Sequence, residues 1–196
     1  MQSAAATIIN KKKVPNDKYF TPESLAKFHV EYFYKLVNNN VKDTYEPFAG
    51  EGVYIPFLNA ISNRVFQTEL DDGTDFFQFD METNNTDCDS LSIITNPPYS
   101  KITPILKRIV EERYMHVSLL IGTMNLTPSR LQFMEKNGYR LIGMHFTRVR
   151  GWFSFSVIVT WTKSYFGEES EHMAKITSDV CWHIQDDTNI PVSKTE

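Results

Sequence analysis

Cysteine is scarce: the 196 residues hold two, Cys88 and Cys181. So far apart in sequence, they make neither a disulfide framework nor a four-ligand zinc site by themselves. Such usage suits a reducing compartment, read here as the cytoplasm. Long apolar runs are missing, since no stretch approaches the roughly 18–20 residues that cross a bilayer, and no membrane is expected. Residues 1–13 lack the apolar stretch of a signal peptide and end in Lys11-Lys12-Lys13. A basic excess is absent too: 20 Lys+Arg face 24 Asp+Glu, a net charge of −4, unlike a globally basic nucleic-acid binder. His29, His116, His145, His172 and His183 lack metal-ligand spacing, so no metal is expected. There is no internal repeat and no low-complexity segment.

What is present is enough for a core: 41% hydrophobic and 13% aromatic residues in one domain-sized chain. Residues 1–17 read as a flexible arm, 18–163 as the main domain and 164–196 as an acidic extension. The extension carries a charge near −5 and the body before it about +1. It is expected to be a solvated, partly helical appendage, or else an element that covers a site or a subunit contact.

Within the body the patterns alternate. A helix is expected from Thr21, with Thr21 as cap and Pro22 at its first position, ending at Asn38-Asn39-Asn40. Strand Asp43–Pro47, a glycine turn, a short helix Val53–Ala60 and strand Arg64–Glu69 follow. Then come a short strand Phe76–Asp80, strand Ser92–Thr95, helix Ile102–Glu112, strand His116–Ile121 and helix Ser129–Asn137 stopped by Gly138. Strands Arg140–Thr147 and Phe153–Thr162 close the domain as a hairpin. Alternation of this kind predicts an α/β fold, mostly parallel, with an antiparallel last hairpin.

Two segments carry chemistry. Glu46-Pro47-Phe48-Ala49-Gly50-Glu51-Gly52 follows the first strand. In a doubly wound sheet that turn faces the ligand crevice, and Gly50 and Gly52 allow close backbone approach. It lacks the Lys and Ser/Thr of a phosphate loop. Asn96-Pro97-Pro98-Tyr99 ends the strand LSIIT. Its prolines cannot extend a ladder. They lock the chain at the sheet edge, where an amide oxygen, a backbone carbonyl and a flat ring suit a planar NH2 group.

In this order and spacing, the two segments resemble the SAM-dependent amino-methyltransferases with an NPPY motif, above all the phage- and bacterial-type DNA adenine-N6 methyltransferases. Phe20-Thr21-Pro22 before a helix looks like that family's N-terminal cofactor segment. The resemblance spans roughly residues 18–163. It implies a Rossmann-like class I fold with a seven-stranded sheet, S-adenosyl-L-methionine (SAM) as cofactor, and methyl transfer to the N6 amine of adenine in DNA. Adenine in RNA, a protein glutamine amide, or a non-catalytic binding subunit of the same fold are the alternatives, with cytosine N4 disfavoured because that group more often carries Ser in place of Asn96.

Carried over position by position, the resemblance implies that Asn96, Pro97, Pro98 and Tyr99 are catalytic. Phe20, Thr21, Pro22, Glu46, Pro47, Phe48, Gly50, Gly52 and Asn96 would hold the cofactor. Glu69 would meet its ribose hydroxyls, Asp80 its adenine amine and Met81 its adenine ring, with Asp71, Asp72 and Asp75 as competitors for the Asp80 role. Only about ten residues separate Glu69 from Asp80, too few for the full helix usual in this family after the second strand.

A target inside a duplex must be flipped out and held between flat groups. Tyr99, Trp152 and Phe153 are the stacking candidates, whereas Phe155 and Trp161 alternate within a strand and are expected in the core. Lys101, Arg148 and Arg150 are candidates for the nucleic-acid backbone. The acidic extension is small for a recognition domain, so a homodimer or a separate recognition subunit is expected.

Overall fold

The computed structural model describes residues 19–79, 88–152 and 154–163, and the backbone of 175–183. Its element order is α1 (Glu23–Leu36), β1 (Asp43–Glu46), α2 (Ile55–Asn59), β2 (Arg64–Gln67), β3 (Leu91–Thr95), α3 (Ile102–Glu112), β4 (His116–Gly122), α4 (Pro128–Lys136), β5 (Tyr139–Val149), β6 (Ser156–Lys163) and β7 (Lys175–His183).

The strands form one sheet in the order β2-β1-β3-β4-β6-β5-β7. Strands β2, β1, β3 and β4 run parallel, and β6 is antiparallel to both β4 and β5. Every residue of β1, β3 and β4 is buried, as expected of parallel strands covered on both faces. From β1 the chain crosses to β2 on one side, while β3 and β4 lie on the other. The loops after β1 and β3 therefore diverge and leave a crevice at the carboxyl edge.

Helix α1 starts one residue later than expected. Pro22 is its N-cap, and the Pro22 carbonyl accepts from the Leu25 and Ala26 amides. Thr21 is thereby released from capping. Asn38 and Asn39 end the helix with positive φ angles of 53° and 59°, a conformation asparagine tolerates.

Two expectations are corrected. Residues 76–79 form no strand: the Asp75 carboxylate accepts from the Phe77 amide at 3.0 Å and its carbonyl from Gln78 and Phe79, which makes a turn. Arg108 takes the Phe77 and Phe79 carbonyls at 2.8 and 2.6 Å, so a ladder cannot use them. The seventh strand comes instead from the acidic extension, where residues 175–183 lie parallel on the outer edge of β5. Between β2 and residue 79 there is only the 3-10 turn Leu70–Asp72 and the Asp75 turn, with no helix among the described residues.

Candidate active site

The cleft lies where the segment before α1 meets the turns after β1 and β3. Tyr19, Phe20, Thr21, Phe48, Gly50 and Asn96 line it, together with Tyr54. The turn after β1 is tightly tied. Ala49 N–H donates to the Thr68 carbonyl at 3.0 Å, Gly52 N–H to the Ala49 carbonyl at 2.7 Å, and the Thr68 hydroxyl to the Pro47 carbonyl at 2.9 Å. Gly50 and Gly52 have φ of +52° and +78°, the left-handed region that glycine enters without strain. Apart from its chain neighbours, no atom of the described residues lies within 4 Å of where a Gly50 β-carbon would sit, so its face of the turn is open to a ligand. Glu69 reaches this turn: its carboxylate accepts from Gly50 N–H at 2.7 Å and also caps Asp71 N–H.

Glu46 is fully buried beneath the turn. One carboxylate oxygen accepts from Phe48 N–H at 3.1 Å and from the Thr95 hydroxyl. The other has no hydrogen-bond partner among the described residues. Burial pushes this carboxyl up to about 8, against the pull of the two hydrogen bonds. It acts from below, fixing the end of β1 to the residue that precedes Asn96.

Asn96 is held by its nitrogen. Its Nδ2 donates to the Tyr19 carbonyl at 2.8 Å and to the Thr21 hydroxyl at 3.0 Å. With the amide orientation set in this way, Oδ1 is left buried and without a partner among the described residues. A buried acceptor lacking a donor is costly, so its partner is expected to arrive with a ligand. Thr21 in turn bonds Tyr54, whose hydroxyl lies 2.9 Å from His29 Nδ1. His29 Nε2 meets Ser118 Oγ at 2.8 Å, and Ser118 meets Thr160 at 2.8 Å. A buried polar chain thus anchors Asn96 through α1 to the central strands.

Tyr99 follows two prolines into the 3-10 turn Tyr99–Lys101. A β-carbon on Gly122 would lie 3.3 Å from Tyr99 Cε2 and 3.6 Å from both Asn125 Nδ2 and Ser154 Oγ, so the end of β4 is the floor of the Tyr99 ring. Lys101 and Arg150 are exposed, and the Arg148 guanidinium lies 4.9 Å from the centre of the Phe155 ring.

Two aromatic assignments change. Phe155 is 53% exposed and precedes β6 rather than filling the core, whereas Trp161 is buried as expected. Trp152 is buried at 8% exposure and packs on Tyr19, 5.5 Å between ring centres. Phe20, half exposed, and Phe48 stand at the cleft with Thr21, while Pro22 and Pro47 are buried behind it. Asp80, Met81 and Phe153 lie outside the described residues. Sequence reasoning missed Tyr19, Tyr54, His29 and Gly122. The one available signal was adjacency: Tyr19 precedes Phe20-Thr21-Pro22 and Tyr54 follows Gly52 by two.

No family model matches the sequence, and no curated protein matches it either. Solved structures do. A Listeria monocytogenes protein assigned to the class I SAM-dependent methyltransferases superposes with a TM-score of 0.62 at 8% identity, covering 87% of this chain and 68% of that one. A Pyrococcus horikoshii protein assigned as an RNA methyltransferase gives 0.57 at 16% identity, over 80% and 91% of the two chains. The magnesium protoporphyrin IX methyltransferase of Synechocystis PCC 6803, solved with SAM bound, gives 0.52 at 14% identity, over 72% and 79%. The chain has the Rossmann-like fold of class I SAM-dependent methyltransferases.

Proposed function

We propose that the protein is a SAM-dependent N-methyltransferase whose acceptor is the exocyclic N6 amine of adenine in nucleic acid, DNA before RNA. The observation that carries this reading is Asn96, pinned through its nitrogen with Oδ1 buried and without a partner among the described residues, at the edge of the cleft. The open face of Gly50 and the Glu69 carboxylate beside it fit SAM, with Glu69 toward its ribose hydroxyls and Phe20, Thr21 and Phe48 around it. Asp80 and Met81 are assigned to its adenine on the sequence resemblance alone. Bound there, SAM supplies an electrophilic methyl group on a sulfonium that departs as a neutral thioether.

The chain's own task is to prepare the amine. An aromatic amine is a poor nucleophile because its lone pair is delocalised into the ring. Asn96 Oδ1 and the Pro97 carbonyl accept hydrogen bonds from its two N–H groups, draw the nitrogen toward tetrahedral geometry and localise that pair. The same two oxygens stabilise positive charge as it develops on nitrogen, in a site whose dipoles are already oriented. Tyr99 holds the ring in line for attack. The methylated nitrogen is acidic enough to release its proton to water, so no strong base is needed.

Calorimetry with SAM and turnover of Asn96→Ala test this together. SAM binds both proteins with a dissociation constant of about 1 mM or below. Turnover of the variant falls about 100- to 1,000-fold, the usual loss for one oriented polar contact to developing charge. Equal turnover removes Asn96 from the reaction, and no SAM binding favours a non-catalytic subunit.

A further inference from the structure

The Tyr19 ring lies over Tyr99, with ring centres 5.2 Å apart and planes 21° from parallel, and leans on Trp152 at 5.5 Å and 58°. One ring contact spans about 4.5–7 Å between centres, so the space between Tyr19 and Tyr99 holds that contact and no inserted ring. Tyr19 therefore lies against Tyr99 and Trp152, two of the three aromatic residues that the sequence picks out for clamping a flat acceptor. Its ring packs on the buried cluster that holds Leu25, Val149 and Trp152. Its backbone does a separate job, since the carbonyl holds Asn96. Tyr19 and Phe20 together wall a cleft of about 120 Å³, below the roughly 300–1,000 Å³ of an ordinary small-molecule site.

We propose that the Tyr19 ring is a placeholder for the acceptor: a slot between Tyr99 and Trp152, bordered by Asn96, takes a flat heterocycle with an exocyclic amine once Tyr19 swings out. This rests on the reading of the cleft as an amine-methylating site. The exchange is close to balanced, because one stacked ring replaces another and the apolar faces of Tyr99 and Trp152 stay covered throughout. The incoming amine then supplies the donor that Asn96 Oδ1 lacks. Any side-chain replacement of Tyr19 keeps its carbonyl, so ring and backbone roles separate cleanly.

Equilibrium dialysis of the full chain with free adenine, and with purine (the same ring system without the amine), is the test. Tyr19→Ala binds adenine about tenfold more tightly than wild type or Tyr19→Phe. In that variant adenine outcompetes purine about tenfold, and adding Asn96→Ala erases the preference. Tyr19→Leu, which keeps apolar bulk without a flat face, gives the same ordering if the alanine variant does not fold. Equal adenine binding by wild type and the variants, or no preference for adenine over purine, overturns the proposal. SAM is titrated in parallel. SAM binding without any effect of Tyr19 sinks the placeholder alone, whereas a slot effect without SAM binding sinks the methyltransferase reading alone.

Discussion

The Asn96 amide nitrogen donates to the Thr21 hydroxyl at 3.0 Å, joining the end of β3 to a residue 75 positions earlier. The contact exists because α1 is capped by the backbone geometry at Pro22, which leaves the Thr21 side chain free to serve the site. Thr21→Val keeps the shape and removes that acceptor. Turnover is expected to fall about tenfold, the worth of one neutral hydrogen bond, and SAM affinity weakens modestly because Thr21 also lines the cofactor cleft. Steady-state kinetics beside calorimetry reads both quantities, and Thr21→Ser restores the rate.

Three buried groups set the pH dependence of stability. Burial lowers His29 to about 3, helped by nearby His145, and lowers His116 to about 4 against a backbone hydrogen bond at Asn40. Both histidines bind a proton more readily when unfolded, so stability is lost as pH falls below their ordinary 6.5. Glu46 has the opposite sign. Its folded value of about 8 exceeds 4.5, so its contribution is present at low pH and fades as pH rises toward 8. Below 6.5 the two histidines outweigh the one carboxyl, and above 6.5 only Glu46 of the three titrates. Thermal unfolding across pH 4 to 9 is expected to peak near pH 6.5, and Glu46→Gln flattens the fall above it.

Gly122 has no room to spare beneath Tyr99. In Gly122→Ala the new methyl sits 3.3 Å from Cε2 and pushes the ring outward. Overpacking of this kind costs about 1–3 kcal/mol when the surroundings cannot yield, and less where a ring at the rim can shift. The acceptor KM is expected to rise several-fold with a small change in Tm. An unchanged KM means that Tyr99 does not position the acceptor.

Arg150 is exposed beyond β5, at the same end of the sheet. If it neutralises one phosphate, Arg150→Ala lowers the slope of log affinity against log salt by about 0.7 for single strands or 0.9 for duplex. Fluorescence anisotropy at several salt concentrations measures it. An identical slope places Arg150 outside the nucleic-acid track.

The sequence made the alternating architecture legible because β3 and β4 are short, apolar-rich runs on either side of the amphipathic helix α3, and it showed Gly50, Gly52 and Asn96 because backbone conformation and proline fix them locally. Phe76 and Phe77 read as strand, yet Asp75 folds the chain into a turn and Arg108, about thirty residues away, takes its carbonyls. Lys175–His183 contains Ile176, Thr177 and Val180, β-formers set among acids that gave the segment the look of a solvated tail. Trp152 and Phe155 exchange their expected environments because Tyr19 covers the first and a bend before β6 exposes the second. The Asp75 turn and the bend before β6 are local, but the contacts of Arg108, of β5 with β7 and of Tyr19 with Trp152 are long-range, and local pattern carries no record of those.

The most direct measurement follows labelled methyl from SAM into duplex DNA, single-stranded DNA, RNA and protein, with nucleoside and amino-acid analysis of whatever becomes labelled. The account predicts label in N6-methyladenine, foremost in DNA, with loss of about two orders of magnitude or more in Asn96→Ala. Label in glutamine, or in no acceptor despite bound SAM, would contradict it.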